Sequence, residues 1–171
     1  MNLKKSYVEK YGYERVITNR NSPLCYAETD MLKLRDGTSA KIDEKGKEFA
    51  LIVLNGSITV TGKDFKFEKV GVRKTVFDGV GEAVYVGKDE EFTVTATGGD
   101  AKVCIAKAPA EKHIKAQVIR TADIKTKELG KGAYKRTAAF NVAENAEANL
   151  LYIGEFWVED GNWASFPPHK H

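Results

Sequence analysis

Histidine is scarce in this chain. There are three in 171 residues, none before His113, and two of them, His169 and His171, fall in the last three positions. The first hundred residues therefore lack the imidazole clusters that hold transition metals. Cysteine is almost as rare. Cys25 and Cys104 are far apart and in apolar contexts, which excludes a disulfide scaffold and predicts buried free thiols in a reducing compartment, with a single disulfide left open. No apolar run is long enough to span a bilayer, and Met1 to Tyr13 carries Lys4, Lys5, Glu9 and Lys10 without an apolar segment. The expectation is a cytoplasmic protein with no signal peptide. An excess of charge is missing too: 27 basic residues against 24 acidic ones give +3, with the two signs interspersed. Neither a nucleic-acid face nor a membrane-binding face is predicted.

What is present is the balance of a globular protein, 42% hydrophobic and 30% charged, in a chain long enough for one domain plus part of another. Helical periodicity is weak. Short β-branched runs separated by turn residues dominate, which predicts an all-β fold. Candidate strands cover Tyr26 to Leu34, both sides of Asn55-Gly56 between Phe49 and Thr61, Val70 to Phe77, Ala83 to Val86, Phe92 to Thr97 and Lys102 to Ala106. Asn-Gly tolerates positive φ at both centres of a two-residue turn, so Phe49 to Thr61 reads as a tight hairpin. From Ala110 to Gly132 polar and basic residues prevail and the segment reads as a linker, with His113 solvated. Asn149 to Val158 is apolar on nearly both faces and is expected to be a strand covered on both sides.

The chemistry-bearing constellation is His169-Lys170-His171 behind Pro167-Pro168. Residues two apart on a strand share a face, so both imidazoles could reach one metal ion, and the prolines hold the approach extended. Judged on the residues alone, an exposed tail is the commoner meaning of such a chain end.

The stretch Gly161-Asn162-Trp163-Ala164-Ser165-Phe166-Pro167-Pro168-His169-Lys170-His171 resembles the G-N-W-S-S-Y-P-P-H-K-H signature of the 5-deoxyglucuronate isomerase family. Weaker similarity runs back through Lys135-Arg136-Thr137, Val84-Tyr85-Val86, Val70-Gly71-Val72-Arg73 and Asn55-Gly56, and takes in nearly the whole chain. The resemblance implies a two-cupin protein: cupin-type antiparallel β-barrels (RmlC-like jelly rolls), with the metal site in the second. Residues 1–108 would form an N-terminal barrel without metal ligands, 109–134 a linker, and 135–171 the opening strands of the catalytic barrel. His169 and His171 would be the first two ligands of a zinc, manganese or iron ion. The family's remaining ligands, a glutamate and a histidine, would lie further along than His171. Arg136 would bind the carboxylate of a sugar acid, against the alternative of an ion pair at the barrel end. Where the family often carries a histidine after the Arg-Thr pair, this chain has Ala138, Ala139 and Phe140.

The implied reaction is an aldose-to-ketose isomerisation of 5-deoxyglucuronate in inositol catabolism, with the chain inactive by itself. Alternatives are a non-catalytic cupin used for sugar binding or subunit pairing, and a different metal-dependent cupin such as a dioxygenase or epimerase. Strands left without partners would expose edges and apolar faces, so a homodimer is expected.

Overall fold

The computed structural model describes residues 6–165. Thirteen strands lie in these residues: β1 (Gly12–Ile17), β2 (Glu28–Leu34), β3 (Ser39–Ile42), β4 (Lys47–Asn55), β5 (Ile58–Gly62), β6 (Lys66–Val70), β7 (Ala83–Val86), β8 (Phe92–Ala96), β9 (Ala101–Pro109), β10 (Gln117–Ile119), β11 (Thr126–Leu129), β12 (Arg136–Val142) and β13 (Ile153–Val158). The only helical elements among the described residues are two 3-10 turns, at Thr121–Asp123 and Gly132–Tyr134. All strand pairs are antiparallel. The sheets run β1-β2-β9-β4-β7-β10, β3-β8-β5-β6 and β11-β12-β13.

The first two sheets face each other and close a cupin-type barrel. Alternation builds its core: Leu32 and Leu34, then Phe49, Leu51 and Val53, then Val103 and Ile105 point inward from one sheet, while Ile58, Val60, Phe92 and Val94 meet them from the other. Phe49 packs edge-on against Phe92 across the gap, with ring centroids 5.2 Å apart. The long sheet has a second buried face. Ala50, Ile52, Ala83, Tyr85 and Ala108 pack with Ala139, Val142, Leu151 and Ile153. That is why β4 and β7 lack a visible hydrophobic alternation: a strand between two cores is apolar throughout.

Several sequence expectations need correction. Asn55-Gly56 does not close a hairpin, because β4 pairs with β7 and β9 whereas β5 pairs with β6 and β8. With both edges of β4 occupied, the turn carries the chain across to the other sheet. Gly56 has φ +78°, and a Cβ there would lie 2.3 Å from the Asp100 carbonyl oxygen, so the corner requires glycine. The strand expected over Val70 to Phe77 ends at Val70, since Arg73 turns inward and the chain loops until β7.

The segment read as a linker is also built in. β10 adds to β7, and β11 pairs with β12. Of Asn149 to Val158 only Ile153–Val158 is strand. Its face turned away from the first barrel is open among the described residues, with Phe156 53% exposed, and Tyr152 just before the strand is 60% exposed. Both cysteines are free, but neither is fully buried as expected: Cys104 is half-buried, and Cys25 is exposed in the loop between β1 and β2. Among the described residues no helix is long and apolar enough to cross a membrane.

Candidate functional site

Of the three residues singled out from sequence, His169 and His171 lie outside the described residues. Arg136 lies within them, at the first position of β12. It pairs with Val158 of β13 and Leu129 of β11. Strand parity divides this sheet into two faces. Ala139, Glu155 and Trp157 point toward the barrel: Ala139 and Trp157 join its outer core, and Glu155 accepts from the Arg73 guanidinium at 2.6 Å. Arg136, Ala138, Phe140, Phe156 and Val158 share the opposite face.

On that face the Arg136 guanidinium sits over the Phe156 ring, 5.8 Å from its centroid, and Nη1 donates to the Tyr134 carbonyl at 3.2 Å. Its Nε is buried with no hydrogen-bond partner. No carboxylate is ion-paired with it among the described residues, so the barrel-end ion pair weighed from sequence is not found there. A cleft of about 250 Å³ at this end of the sheet is lined by Glu128, Lys135, Arg136, Thr137, Trp157, Val158 and Glu159. A guanidinium is a planar fork of the kind that pairs with a carboxylate.

Buried or half-buried carboxylates tie the barrel to the segments around it. Glu48, on the outer side of β4, accepts from the Tyr85 hydroxyl at 2.7 Å and from the backbone N–H groups of Asn149, Leu150 and Leu151 at 2.7, 2.6 and 2.9 Å. Burial and this hydrogen bond push the Tyr85 phenol upward from its ordinary pKa. Glu82 accepts from Gly71 N, Thr121 N and Arg120 Nη1. Glu155 takes the Arg73 guanidinium, the Gly81 N–H and the Asn141 amide. Arg73 itself donates to the Val53 and Gly79 carbonyls.

A second polar constellation, which the sequence reading missed, lies inside one mouth of the barrel. Lys107 on β9 is fully buried, and its Nζ lies 2.5 Å from Asp30 Oδ2, 3.1 Å from Glu44 Oε1 and 3.4 Å from Glu28 Oε2. Lys47 bridges Glu28 and Glu44, Arg15 holds Glu44 at 2.9 Å, and the Tyr13 hydroxyl bonds Asp30. Desolvation of the Glu44 carboxyl opposes its ionisation, but the Lys107 and Lys47 ammonium groups outweigh it and hold its pKa at about 2. A carboxyl with a depressed folded-state pKa stabilises the protein above the ordinary carboxylate range. That contribution disappears as pH falls toward 2. Glu44→Gln is therefore expected to lose less stability than the parent between pH 5 and pH 3 in urea titrations.

The residues match the KduI/IolB family over positions 3–171. The 5-deoxy-glucuronate isomerase of Bacillus subtilis strain 168 is 35% identical over 158 residues, covering 91% of this chain and 58% of the relative. That of Listeria monocytogenes is 29% identical over 157 residues, with 91% and 58% coverage. The chain thus spans a little under three-fifths of the length of these relatives. An IolB-like protein from Salmonella typhimurium LT2 superposes with a TM-score of 0.86 at 23% identity, over 93% of this chain and 60% of that one, so the two share a fold. The matches extend through both the barrel and the sheet that carries Arg136: the chain belongs to the KduI/IolB family.

Proposed function

We propose that this chain is the N-terminal part of a sugar-acid isomerase that converts 5-deoxyglucuronate to 2-deoxy-5-keto-gluconate. The observation that supports this most is 35% identity, across 91% of the chain, to a protein named for that isomerase activity. In this reading residues 1–108 are the first barrel, 109–134 the connection, and 135–171 one wall of a second barrel with Arg136 on its inner face. A cytoplasmic location and a small sugar-acid substrate go with it.

An aldose-to-ketose isomerisation removes a proton beside a carbonyl and returns it to the neighbouring carbon. The substrate's carboxylate gives it a fixed handle, and in this reading Arg136 takes that handle through its guanidinium, which Phe156 backs. A divalent zinc, manganese or iron ion would stabilise the enediolate charge in such an enzyme. Among the described residues no group of three or more His, Cys, Asp or Glu is arranged to hold a metal ion. His169 and His171 amount to two donors, short of the three protein ligands of a catalytic site.

Zinc titrated into the chain by calorimetry is expected to bind weakly, and His169→Ala to weaken it at least about tenfold, a loss of roughly 1.4 kcal/mol. Binding unchanged by that substitution would detach the histidine pair from the metal.

A non-catalytic role for the first barrel is favoured by its interior, which ion pairs fill at the mouth. The open face at Tyr152 and Phe156, with Leu150 59% exposed beside it, supports pairing of two copies. Light scattering is expected to give a dimer mass; a monomer at high concentration would count against pairing.

A further inference from the structure

Cross-strand pairing fixes the company that Arg136 keeps. On its own row of the sheet Arg136 stands between Leu129 of β11 and Val158 of β13. Directly paired residues of antiparallel strands project from the same face, so these three side chains belong to the face turned away from the first barrel. The next row on that face is Lys127, Ala138 and Phe156. Ala138 is fully buried, whereas the Phe156 ring is half exposed and has its centroid 5.8 Å from the guanidinium. Lys127 is exposed and lies on the far side of Ala138 from Phe156. Toward β13 the guanidinium is thus flanked by Val158 and Phe156, and neither side chain can donate or accept a conventional hydrogen bond.

The carbon next to the carboxylate of 5-deoxyglucuronate is a methylene, where an ordinary uronate carries a hydroxyl. A carboxylate gripped by Arg136 brings that carbon, one bond from the gripped group, against whatever flanks the guanidinium. We propose that Phe156 and Val158 are specificity-determining residues that select acids with a methylene beside the carboxylate over acids with a hydroxyl there. The inference rests on the reading of Arg136 as the carboxylate-binding residue. A hydroxyl pressed against this surface gives up water and gains no partner, while a methylene is favoured by the same contact. An enclosed apolar pocket rejects an added hydroxyl by about 100-fold. Here Phe156 is 53% exposed, so water relieves part of the penalty, and a preference of about tenfold is expected.

The test uses three open-chain acids and the whole 171-residue chain. Gluconate and mannonate carry a hydroxyl beside the carboxylate, in opposite configurations, and 2-deoxygluconate lacks it; they are otherwise identical. Each is titrated while nitrogen-15 NMR follows the Arg136 Nε–H and the Phe156 and Val158 amides. Binding of 2-deoxygluconate is expected at a Kd of about 1–10 mM, about tenfold tighter than that of the weaker of the two hydroxy acids. Val158→Thr supplies a hydroxyl beside that carbon. It should narrow the ratio to about threefold or less, with 2-deoxygluconate binding changed by less than about threefold. Arg136→Ala should weaken all three acids.

Equal affinity of the parent chain for the three acids overturns the inference and leaves the reading of Arg136 standing. A preference unchanged in a folded Val158→Thr overturns it likewise. If no acid binds the parent, or if Arg136→Ala binds them as the parent does, the reading of Arg136 fails and the inference fails with it.

Discussion

Replacing Glu48 by alanine is expected to cost about 4 kcal/mol of unfolding free energy in urea titrations, one of the two largest effects foreseen for this chain. The reason is the asymmetry of buried hydrogen bonds. Intact, each one adds little net stability, but a buried N–H stripped of its acceptor costs about 1–3 kcal/mol. Glu48 satisfies three successive backbone N–H groups at 149–151 and the Tyr85 hydroxyl, and its residue is wholly buried. Alanine leaves all four donors facing apolar surface. The 149–151 segment would then have to peel into water, taking Leu151 from its core. Glu48→Gln keeps one acceptor oxygen and should lose about half as much. A loss below about 1 kcal/mol for alanine would mean that Glu48 does not hold the segment leading into β13 to the barrel.

The second large effect belongs to catalysis and requires a longer protein. In a chimera of this chain with the part of the Bacillus subtilis relative beyond the matched region, Arg136→Ala is expected to lower kcat/KM about 100-fold. Losing a bidentate charge-assisted contact is worth roughly 2–3 kcal/mol. Arg136→Lys should recover little, because a point ammonium cannot reproduce the planar fork. A purely structural role for Arg136 would instead leave KM unchanged, lower the melting midpoint, and let lysine rescue.

Among the barrel strands β2, β4, β5, β7, β8 and β9 were legible as period-two patterns or β-branched runs beside turn residues, whereas β1, β3 and β6 were not singled out. The Asn55-Gly56 turn misled for a topological reason. Local turn chemistry reports that the chain reverses, and whether the two strands then pair depends on which edges are already filled. The strands within 109–134 were not legible because β10 and β11 are only three and four residues long, and pairing with β7 and β12 supplies what such short segments lack. Arg136 could be picked out through the family motif; its buried Nε could not.

The charged mouth of the barrel did have a sequence signal. Glu28 and Asp30 stand in phase with Leu32 and Leu34, and Lys107 in phase with Val103 and Ile105. Charges at core-phase positions on two strands are a mark of buried ion pairs, and only the pairing of β2 with β9 shows that they meet.

At the centre of the account is the proposal that the inner face of β12 and β13, with Arg136, forms part of an isomerase site. The most direct measurement follows 5-deoxyglucuronate conversion by the chain alone and by the chimera, each with zinc or manganese. The account predicts no turnover above background for the chain, and for the chimera turnover in the ordinary enzyme range of about 1 per second or faster. Turnover at that rate by the 171-residue chain alone, or a folded chimera inert toward the sugar acid, would contradict it.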